Sequence, residues 1–476
     1  MQRDISALVG MQRKAAGRGL FRLNAWGLIP WLACLFLLGA LSTPDAFATT
    51  VPTRLDAGHR FSCAIHNGGE VWCWGENRRG NLGDGTTTNR ATARPVKSHD
   101  GMGLLSDVTV IATGDHHACA LAANGGVWCW GSNGAGQLGD GTWDDRSLPV
   151  QVKGIGGNGL LSGMTSIAAG AQHTCASNNS SLVVCWGSND SGQLGNSSVS
   201  SSNSSLVPVQ TKLDSGQPLL DVAGLAAGQS QSCAVKHDGT VWCWGTNRDG
   251  ELGNGQGGPN AIWNPSPVQV MTGGESIQAL TGMTAITSGA RHNCARGSDG
   301  SVWCWGANWA GQSGTGQASQ NWRALRVQGV SGQGSLSGAL GVDAGAWHTC
   351  AYGAQGALWC WGENSSGQLG SSLGVPREWP TPVLSANGQD PLTGVTTVAG
   401  GTSHTCAETS NDTVLCWGQS TEGQLGTGTL ISSFLPSRVG TVDGGDIWTG
   451  ASAVSAGGFH SCAVDADQTA WCWGLN

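Results

Sequence analysis

Charge is scarce in this chain. Only 11% of its 476 residues are Asp, Glu, Lys or Arg, and the net charge is -8. An acidic, lysine-poor surface argues against nucleic acid or an anionic membrane as partner. Tyrosine occurs once, against 23 Trp. No C-x-x-C knuckle, no glycine-rich phosphate loop and no recurring pair of carboxylates is present, and the one G-x-S-x-G string, Gly370 to Gly374, falls in a Gly-rich turn of the repeat rather than in a strand-to-helix elbow. These absences leave no signature for a zinc knuckle, a serine hydrolase, a nucleotide site or a two-carboxylate glycosidase. No cofactor, metal ligand or catalytic residue is therefore assigned. Long apolar runs are also lacking, apart from Leu28 to Leu41, which Pro30 interrupts. That run is short and broken for a spanning helix, with an uncleaved anchor as the alternative.

What the chain has is glycine (78 residues) and cysteine (17 residues) in a fixed arrangement. In Ser232-Cys233-Ala234-Val235-Lys236-His237-Asp238-Gly239-Thr240-Val241-Trp242-Cys243-Trp244, two short apolar runs flank turn residues, which reads as a β-hairpin. The odd spacing favours a three- or five-residue loop with Gly in the left-handed region. Cys233 and Cys243 then face each other across the ladder, within disulfide reach. The unit recurs as Cys63/Cys73, Cys119/Cys129, Cys175/Cys185, Cys233/Cys243, Cys294/Cys304, Cys350/Cys360, Cys406/Cys416 and Cys462/Cys472. Each pair begins 56 to 61 residues after the last, so the chain is a repeat array.

The first residues read as a targeting segment. Arg13, Lys14, Arg18 and Arg22 precede the apolar run, and Ala46-Phe47-Ala48 is a small-x-small cleavage site. Residues 1–48 are thus assigned as a signal peptide and 49–476 as one repeat domain. Cleavage removes Cys34, the only cysteine without a partner, and takes the net charge from -8 to -11. Export and an even cysteine set support each other, and disulfides are favoured over zinc ligation or packed thiols. The expected location is extracellular, periplasmic or on the cell surface, with no membrane contact after cleavage.

Each repeat has four parts. A small-residue strand ends in Gly, five residues before the first Cys: Gly58, Gly114, Gly170, Gly228, Gly289, Gly345, Gly401 and Gly457. Such a position needs either positive φ or the close approach of another backbone. The two cysteine strands follow; the second, as in Val302-Trp303-Cys304-Trp305, is apolar on both faces and must lie between neighbouring sheets. A Gly-rich turn comes next, as in Asn189 to Gly195, and then a variable loop and a Pro-Val strand such as Leu148 to Val152. Proline places that strand outermost. The fold class is all-β, a propeller of four-stranded antiparallel blades.

These motifs, G-x-x-H-T-C-A, V-W-C-W-G-x-N-x-x-G-Q-L-G and P-x-x-V, resemble the repeat of the regulator of chromosome condensation family, here as an exported, bacterial-type member with paired cysteines. The resemblance covers essentially all of residues 49–476 and implies a β-propeller, most often of seven blades in that family. Eight whole hairpins favour eight blades here, the last lacking its outer strand; seven blades with one hairpin outside is the alternative. Members of that family act through protein contacts, in nucleotide exchange on a nuclear GTPase, β-lactamase inhibition and UV-B perception. An exported chain would not meet a nuclear GTPase.

Two sets of residues invite a functional reading. His117, His173, His292, His348, His404 and His460 stand two residues before their cysteines, with Phe61 and Gln231 in the other copies. One His per blade does not converge on a metal, so each is read as a hydrogen bond that pins its inner turn. Asp84 and Asp140 are read as turn formers, since Asn196, Asn254, Thr315 and Ser371 take their place elsewhere. Trp143, Trp263, Trp322 and Trp379 fall in the variable loops, and Trp309 and Trp347 in two further turns. The first four form the candidate binding rim. The function this supports is a secreted, monomeric, non-catalytic scaffold for another protein or surface macromolecule. The alternative is a carbohydrate-binding or hydrolytic propeller with its site at the central channel.

Overall fold

The computed structural model describes residues 55–475, apart from 179–181, 200–203, 275, 441–447 and 468. The signal segment assigned to 1–48 and the domain start at 49–54 lie outside the described residues. The described residues form eight antiparallel sheets, seven of four strands and a last one of three. Each sheet is built from consecutive strands, as in the second: Val108–Thr113 innermost, then His117–Ala122, Val127–Gly131 and Arg146–Gln151. The eighth holds Ala451–Ala456, His460–Asp465 and Ala470–Gly474. Eight blades, not seven, make the ring, and the Pro-Val strand is outermost in each complete blade.

The hairpin register is as the spacing requires. Cys233 pairs directly with Cys243 and Val235 with Val241, which leaves a five-residue loop with Gly239 at φ +77°. Disulfides join Cys63 to Cys73, Cys119 to Cys129, Cys175 to Cys185 and Cys233 to Cys243. They likewise join Cys294 to Cys304, Cys350 to Cys360, Cys406 to Cys416 and Cys462 to Cys472. In all eight the Cα atoms are 4.1–4.2 Å apart. Cys73, Cys129, Cys185, Cys243, Cys304, Cys360 and Cys416 are 0% exposed, sealed between blades. None of these sulfurs can touch a partner or react with a solute, so they are staples of the frame and not part of any functional site.

Alternation then decides what each face of a blade buries. Cys233, Val235, Val241 and Cys243 of the fourth blade pack against Ala295 and Trp305 of the fifth. One face of every blade is thus cysteine and aliphatic, and the other is alanine and tryptophan.

A buried indole N–H needs an acceptor. Trp186 donates to the Gln137 carbonyl of the preceding blade at 2.8 Å, and the same contact recurs from Trp130, Trp244, Trp305, Trp361 and Trp417 at 2.8–3.0 Å. The histidines complete this seam. His117 Nε2 bonds the Thr174 hydroxyl of the next blade at 2.9 Å, and that hydroxyl donates to the Gln137 carbonyl at 3.2 Å. Because the hydroxyl donates onward, the imidazole Nε2–H must be the donor to it. The pattern repeats as His173–Ser232, His292–Thr349, His348–Thr405, His404–Ser461 and His460–Ser62. The histidines therefore bond across blade boundaries rather than within their own turns. The last pair joins the eighth blade to the first and closes the ring.

The two exceptions change in step. Phe61 faces Ala118 in one cluster, so neither partner carries a polar atom. Gln231 donates to the Gly289 carbonyl at 3.2 Å, and Asn293 replaces the hydroxyl and donates to the Glu251 carbonyl at 2.8 Å. The glycine before each histidine has an ordinary φ, so close approach is the operative reason for it. A Cβ on Gly289 would meet the His292 ring and the Gly345 carbonyl of the next blade, the latter at 2.5 Å. The contact passes from glycine to glycine around the channel, and Gly457 meets the Gly58 carbonyl at 2.5 Å.

Candidate binding face

Register places three kinds of loop at one end of the ring. In the fifth blade His292 pairs with Gly306, and Gly306 with Asn321. The G-x-x-H turn, the Gly-rich turn and the start of the outer strand therefore share one face, and the hairpin loops occupy the other. The disulfides stay out of both. Cys73, Cys129, Cys185, Cys360 and Cys416 sit mid-sheet, paired with Arg94, Val150, Val209, Thr381 and Ser437 of their outer strands.

The Gly-rich turns on the first face are rigid. Asn133 accepts from the Leu138 amide at 3.0 Å and donates to the Thr142 carbonyl at 2.9 Å. Arg146 reaches Asp140 at 2.8 Å, and Arg90 reaches Asp84 at 2.9 Å. Burial alone would raise both carboxyls, but bonds from Thr86 and Arg90, and from Thr142 and Arg146, hold them below the usual range. These aspartates are committed to their own loops.

On this frame sit the aromatic residues. Trp143 and Trp322 are 53% and 47% exposed, and Trp263 is 38% exposed. Trp143 lies in its loop as the sequence indicates. Trp263, Trp322 and Trp379 do not: they belong to the outer strands Trp263–Gln269, Asn321–Arg326 and Arg377–Pro382. The strand begins earlier than proline suggested, because its first residues already pair with the glycine ending the third strand. Trp322 lies over Gly250 and Gly257 of the fourth blade, so it flanks the loop that Trp263 ends. Trp379 is half-buried and leans towards Gly332 of the preceding connection. Trp143 stands alone on the second blade.

The structure instead joins two tryptophans from different turns. Trp309 of the fifth blade and Trp347 of the sixth lie with ring centroids 5.3 Å apart at 44°, and Trp309 is 46% exposed. On the adjoining seam Arg291 bonds Asp249 at 3.0 Å. Glu251 stands where five other blades have glutamine and the first has Asn81; burial pushes its carboxyl up to about 7, and the Asp249 amide donates to it at 2.8 Å. A second cluster lies across the mouth, where His59 meets Phe459 at 5.4 Å and His116 at 6.1 Å, with Arg60 over the Phe459 ring at 5.7 Å. Sequence reading named Trp309 and Trp347 as separate turn residues but not their pairing, and passed over the second cluster. Their signal is the third residue of each G-x-x-H turn, where Arg60, His116, Arg291, Trp347 and Phe459 are large.

The channel carries two carboxylates. Asp56 accepts from the Thr113 amide at 2.7 Å and its hydroxyl at 3.0 Å, and burial pushes it up to about 6. Asp343 accepts from the Gly400 amide at 2.8 Å and is raised likewise by burial. Each is tied to the next blade's backbone. Among the described residues no group of three or more His, Cys, Asp or Glu could hold a metal ion, and no helix is long and apolar enough to cross a membrane. The eight disulfides point to an oxidising setting.

A family model described as RCC1-like domain matches residues 39–339 and 163–476. Ultraviolet-B receptor UVR8 of Arabidopsis thaliana is 30% identical over 396 residues, 82% of this chain and 83% of that protein. The mitochondrial RCC1 domain-containing protein RUG3 of the same plant is 28% identical over 348 residues, covering 70% and 72%. Mouse E3 ubiquitin-protein ligase HERC2 is 27% identical over 363 residues, 76% of this chain but 7% of that protein. Among solved structures, human WBSCR16 aligns with TM-score 0.61 at 21% identity, covering 83% of this chain and 99% of that one. Prp20p of Saccharomyces cerevisiae aligns with TM-score 0.59 at 20% identity, covering 82% and 89%. By name one of these relatives is a receptor and one a ubiquitin-protein ligase in a far longer chain. With its repeat motifs, its propeller and these matches, the chain belongs to the RCC1-like domain family.

Proposed function

We propose that this protein is an exported, non-catalytic scaffold that binds another macromolecule through the loop face of its fourth, fifth and sixth blades. The observation that carries this reading is the Trp309–Trp347 pair, partly exposed and spanning two blades on the face that also holds Trp263 and Trp322. Aromatic rings held on rigid backbone make efficient binding anchors, because little conformational entropy remains to be lost. Protein binding recurs on this fold: Prp20p is described by its binding to Gsp1p and histones. The eight disulfides support export, as does the leader-like segment, and cleavage after Ala48 would give a mature chain starting at Thr49. The partner class is a protein or surface glycan, and the scaffold acts as a monomer.

The test is affinity capture with the purified exported protein from the envelope and medium of its own organism, with the Trp309→Ala/Trp347→Ala variant in parallel. A protein captured by the parent chain and lost with the variant supports the reading. A glycan released from the parent, or turnover of one, favours the channel alternative. Equal capture by both chains overturns the assignment to this face.

A further inference from the structure

Five of the Gly-rich turns have one length, so they can be compared position by position. In the first, second and sixth blades each runs from an asparagine to an arginine: Asn77 to Arg90, Asn133 to Arg146 and Asn364 to Arg377. The asparagine amide donates to Asp84 at 3.2 Å, to Asp140 at 3.1 Å and, at the same position of the sixth blade, to Ser371 at 3.3 Å. The three turns therefore follow one course.

What they offer the arginine differs. Arg90 Nε donates to Asp84 at 2.9 Å, and its guanidinium also reaches the Thr86 hydroxyl at 3.2 Å. Arg146 bonds Asp140 at 2.9 Å and the Thr142 hydroxyl at 3.1 Å in the same way. In the sixth blade Ser371 replaces the aspartate and Leu373 the threonine, so Arg377 has lost both partners. Among the described residues no carboxylate forms an ion pair with it, and its Nε is buried without a hydrogen-bond partner. The nearby acids do not stand in. Glu363 accepts from the Asn364 and Ser365 amides at 3.1 and 2.7 Å, and Glu378 points to the opposite side of the strand. The remaining two turns avoid the mismatch. Asn321 of the fifth blade donates to the Thr315 hydroxyl at 3.1 Å, and Thr427 and Ser433 keep the seventh neutral. A half-buried cation without a partner costs stability, and a ligand that supplies the missing anion removes that cost.

The position of Arg377 says which ligand would meet it. It pairs with Gly362, and Gly362 with His348, the residue after Trp347. Two strand spacings, roughly 10 Å, thus separate its backbone from the Trp347 turn. From the other side, a Cβ on Gly311, two residues after Trp309, would meet the Arg377 carbonyl at 2.6 Å. The unpaired arginine therefore adjoins the Trp309–Trp347 pair. A second one stands on the fifth blade. Arg323, next to Trp322, lies over Gly255 of the fourth blade, and its Nε is also buried without a partner.

We propose that Arg377 seats a carboxylate side chain of an acidic polypeptide segment, in the place that Asp84 and Asp140 hold in the first two blades. This rests on the tryptophan face as the binding face and names the chemistry of its partner. The guanidinium fork takes a carboxylate by parallel bonds, which fixes orientation as well as affinity. Arg323 offers the same segment a second cation. Leu373 and Val375, 56% and 48% exposed, flank the seat with apolar surface, which suits the side chains of a polypeptide better than the hydroxyls of a glycan. The net charge of -8 discourages such a segment from binding elsewhere on the molecule.

The test uses the purified exported protein and a short fluorescent oligoglutamate, with oligoglutamine and oligogalacturonate beside it. Anisotropy should show saturable binding of oligoglutamate that weakens with salt and is at least about tenfold tighter than that of either other probe. Arg377→Gln should weaken it at least about tenfold without lowering the melting temperature, since no bond within the fold is lost. Ser371→Asp/Leu373→Thr copies the second blade's turn; it should weaken binding at least about tenfold and raise the melting temperature, because the seat is then filled from within. Arg326→Gln, whose backbone pairs with Trp303 away from this face, should leave binding unchanged. Absence of saturable binding, or binding indifferent to both changes in the turn, overturns the proposal. Oligogalacturonate bound as tightly as oligoglutamate overturns the polypeptide as occupant. Capture through the tryptophan face is read with Trp309→Ala/Trp347→Ala and a native partner, so either reading can fail while the other stands.

Discussion

The seams between blades and the loop face they support follow opposite rules. At the seams every change is matched: histidine with a hydroxyl six times, Phe61 with Ala118, Gln231 with Asn293. On the loop face no side-chain pairing across blades recurs: Arg291 meets Asp249 at one seam and Trp309 meets Trp347 at the next, and large residues stand at equivalent positions without a repeat, as Trp309 does where other turns have Arg78, Gly134 or Ser365. A position constrained by its neighbour on the next blade cannot be given to a partner. A position free of that constraint can. The difference separates what holds the ring from what it can display.

The sharpest break of this comparison is chemical. Reducing all eight disulfides should destabilise each hairpin by roughly 2 to 3 kcal/mol on the chain-entropy model, and in a repeat protein these losses sum. Calorimetry with and without reductant should show a large fall in melting temperature. Mass spectrometry of partly reduced protein should find Cys462–Cys472 opened first, since Cys472 is partly exposed while Cys73, Cys129, Cys185, Cys360 and Cys416 are sealed. Next comes a single seam. Trp305→Ala removes a fully buried ring and should cost about 3 to 5 kcal/mol in denaturant unfolding.

The histidine seam gives a pH dependence. Burial depresses His117, His348 and His404 to about 3, and His173, His292 and His460 to about 4, from an ordinary 6.5. The unfolded chain therefore binds more protons below pH 6.5, and stability is lost as pH falls from there towards 3–4. The raised carboxyls work the other way: Glu251 and Glu408 at about 7 and Asp56 at about 6 cost stability as pH rises through those values. Glu251→Gln, which restores the residue of Gln137 and Gln193, should stabilise the fold above pH 7 by up to about 3 kcal/mol and leave it unchanged near pH 4. Melting curves at pH 4.5, 6 and 8.5, with and without the change, check both signs.

A smaller effect tests the matching itself. His117→Phe should destabilise by about 1 to 3 kcal/mol, because the Thr174 hydroxyl oxygen loses its imidazole donor in the seam while its own proton still goes to the Gln137 carbonyl. His117→Phe/Thr174→Ala copies Phe61 and Ala118, and should recover about 1 kcal/mol of that loss in a double-mutant cycle. Simple additivity would mean that the two positions are not coupled.

The frame was legible in the sequence because its causes are local and repeated. Ten-residue cysteine spacing fixed opposed pairs, a proline marked the outer strand, and eight intact hairpins gave eight blades. What stayed hidden was whatever depends on the next blade. His117 could be seen to recur, but not to reach Thr174, 57 residues away. Trp309 and Trp347 were visible as separate turn residues, and only the ring's curvature brings them to 5.3 Å. Trp322 read as a loop residue because its strand pairing starts before the sequence pattern that marks the strand.

The division between seam and face is tested most directly by placing two tryptophan variants side by side. Trp305→Ala and Trp309→Ala/Trp347→Ala would each be measured for melting temperature and for capture of the partner. The account predicts that the first loses stability by several kcal/mol, as a buried ring should, while any of it that stays folded still captures the partner. The second should melt within about 0.5 kcal/mol of the parent chain and lose at least about 1 kcal/mol of binding. A double variant that unfolds early yet captures its partner normally would contradict the account.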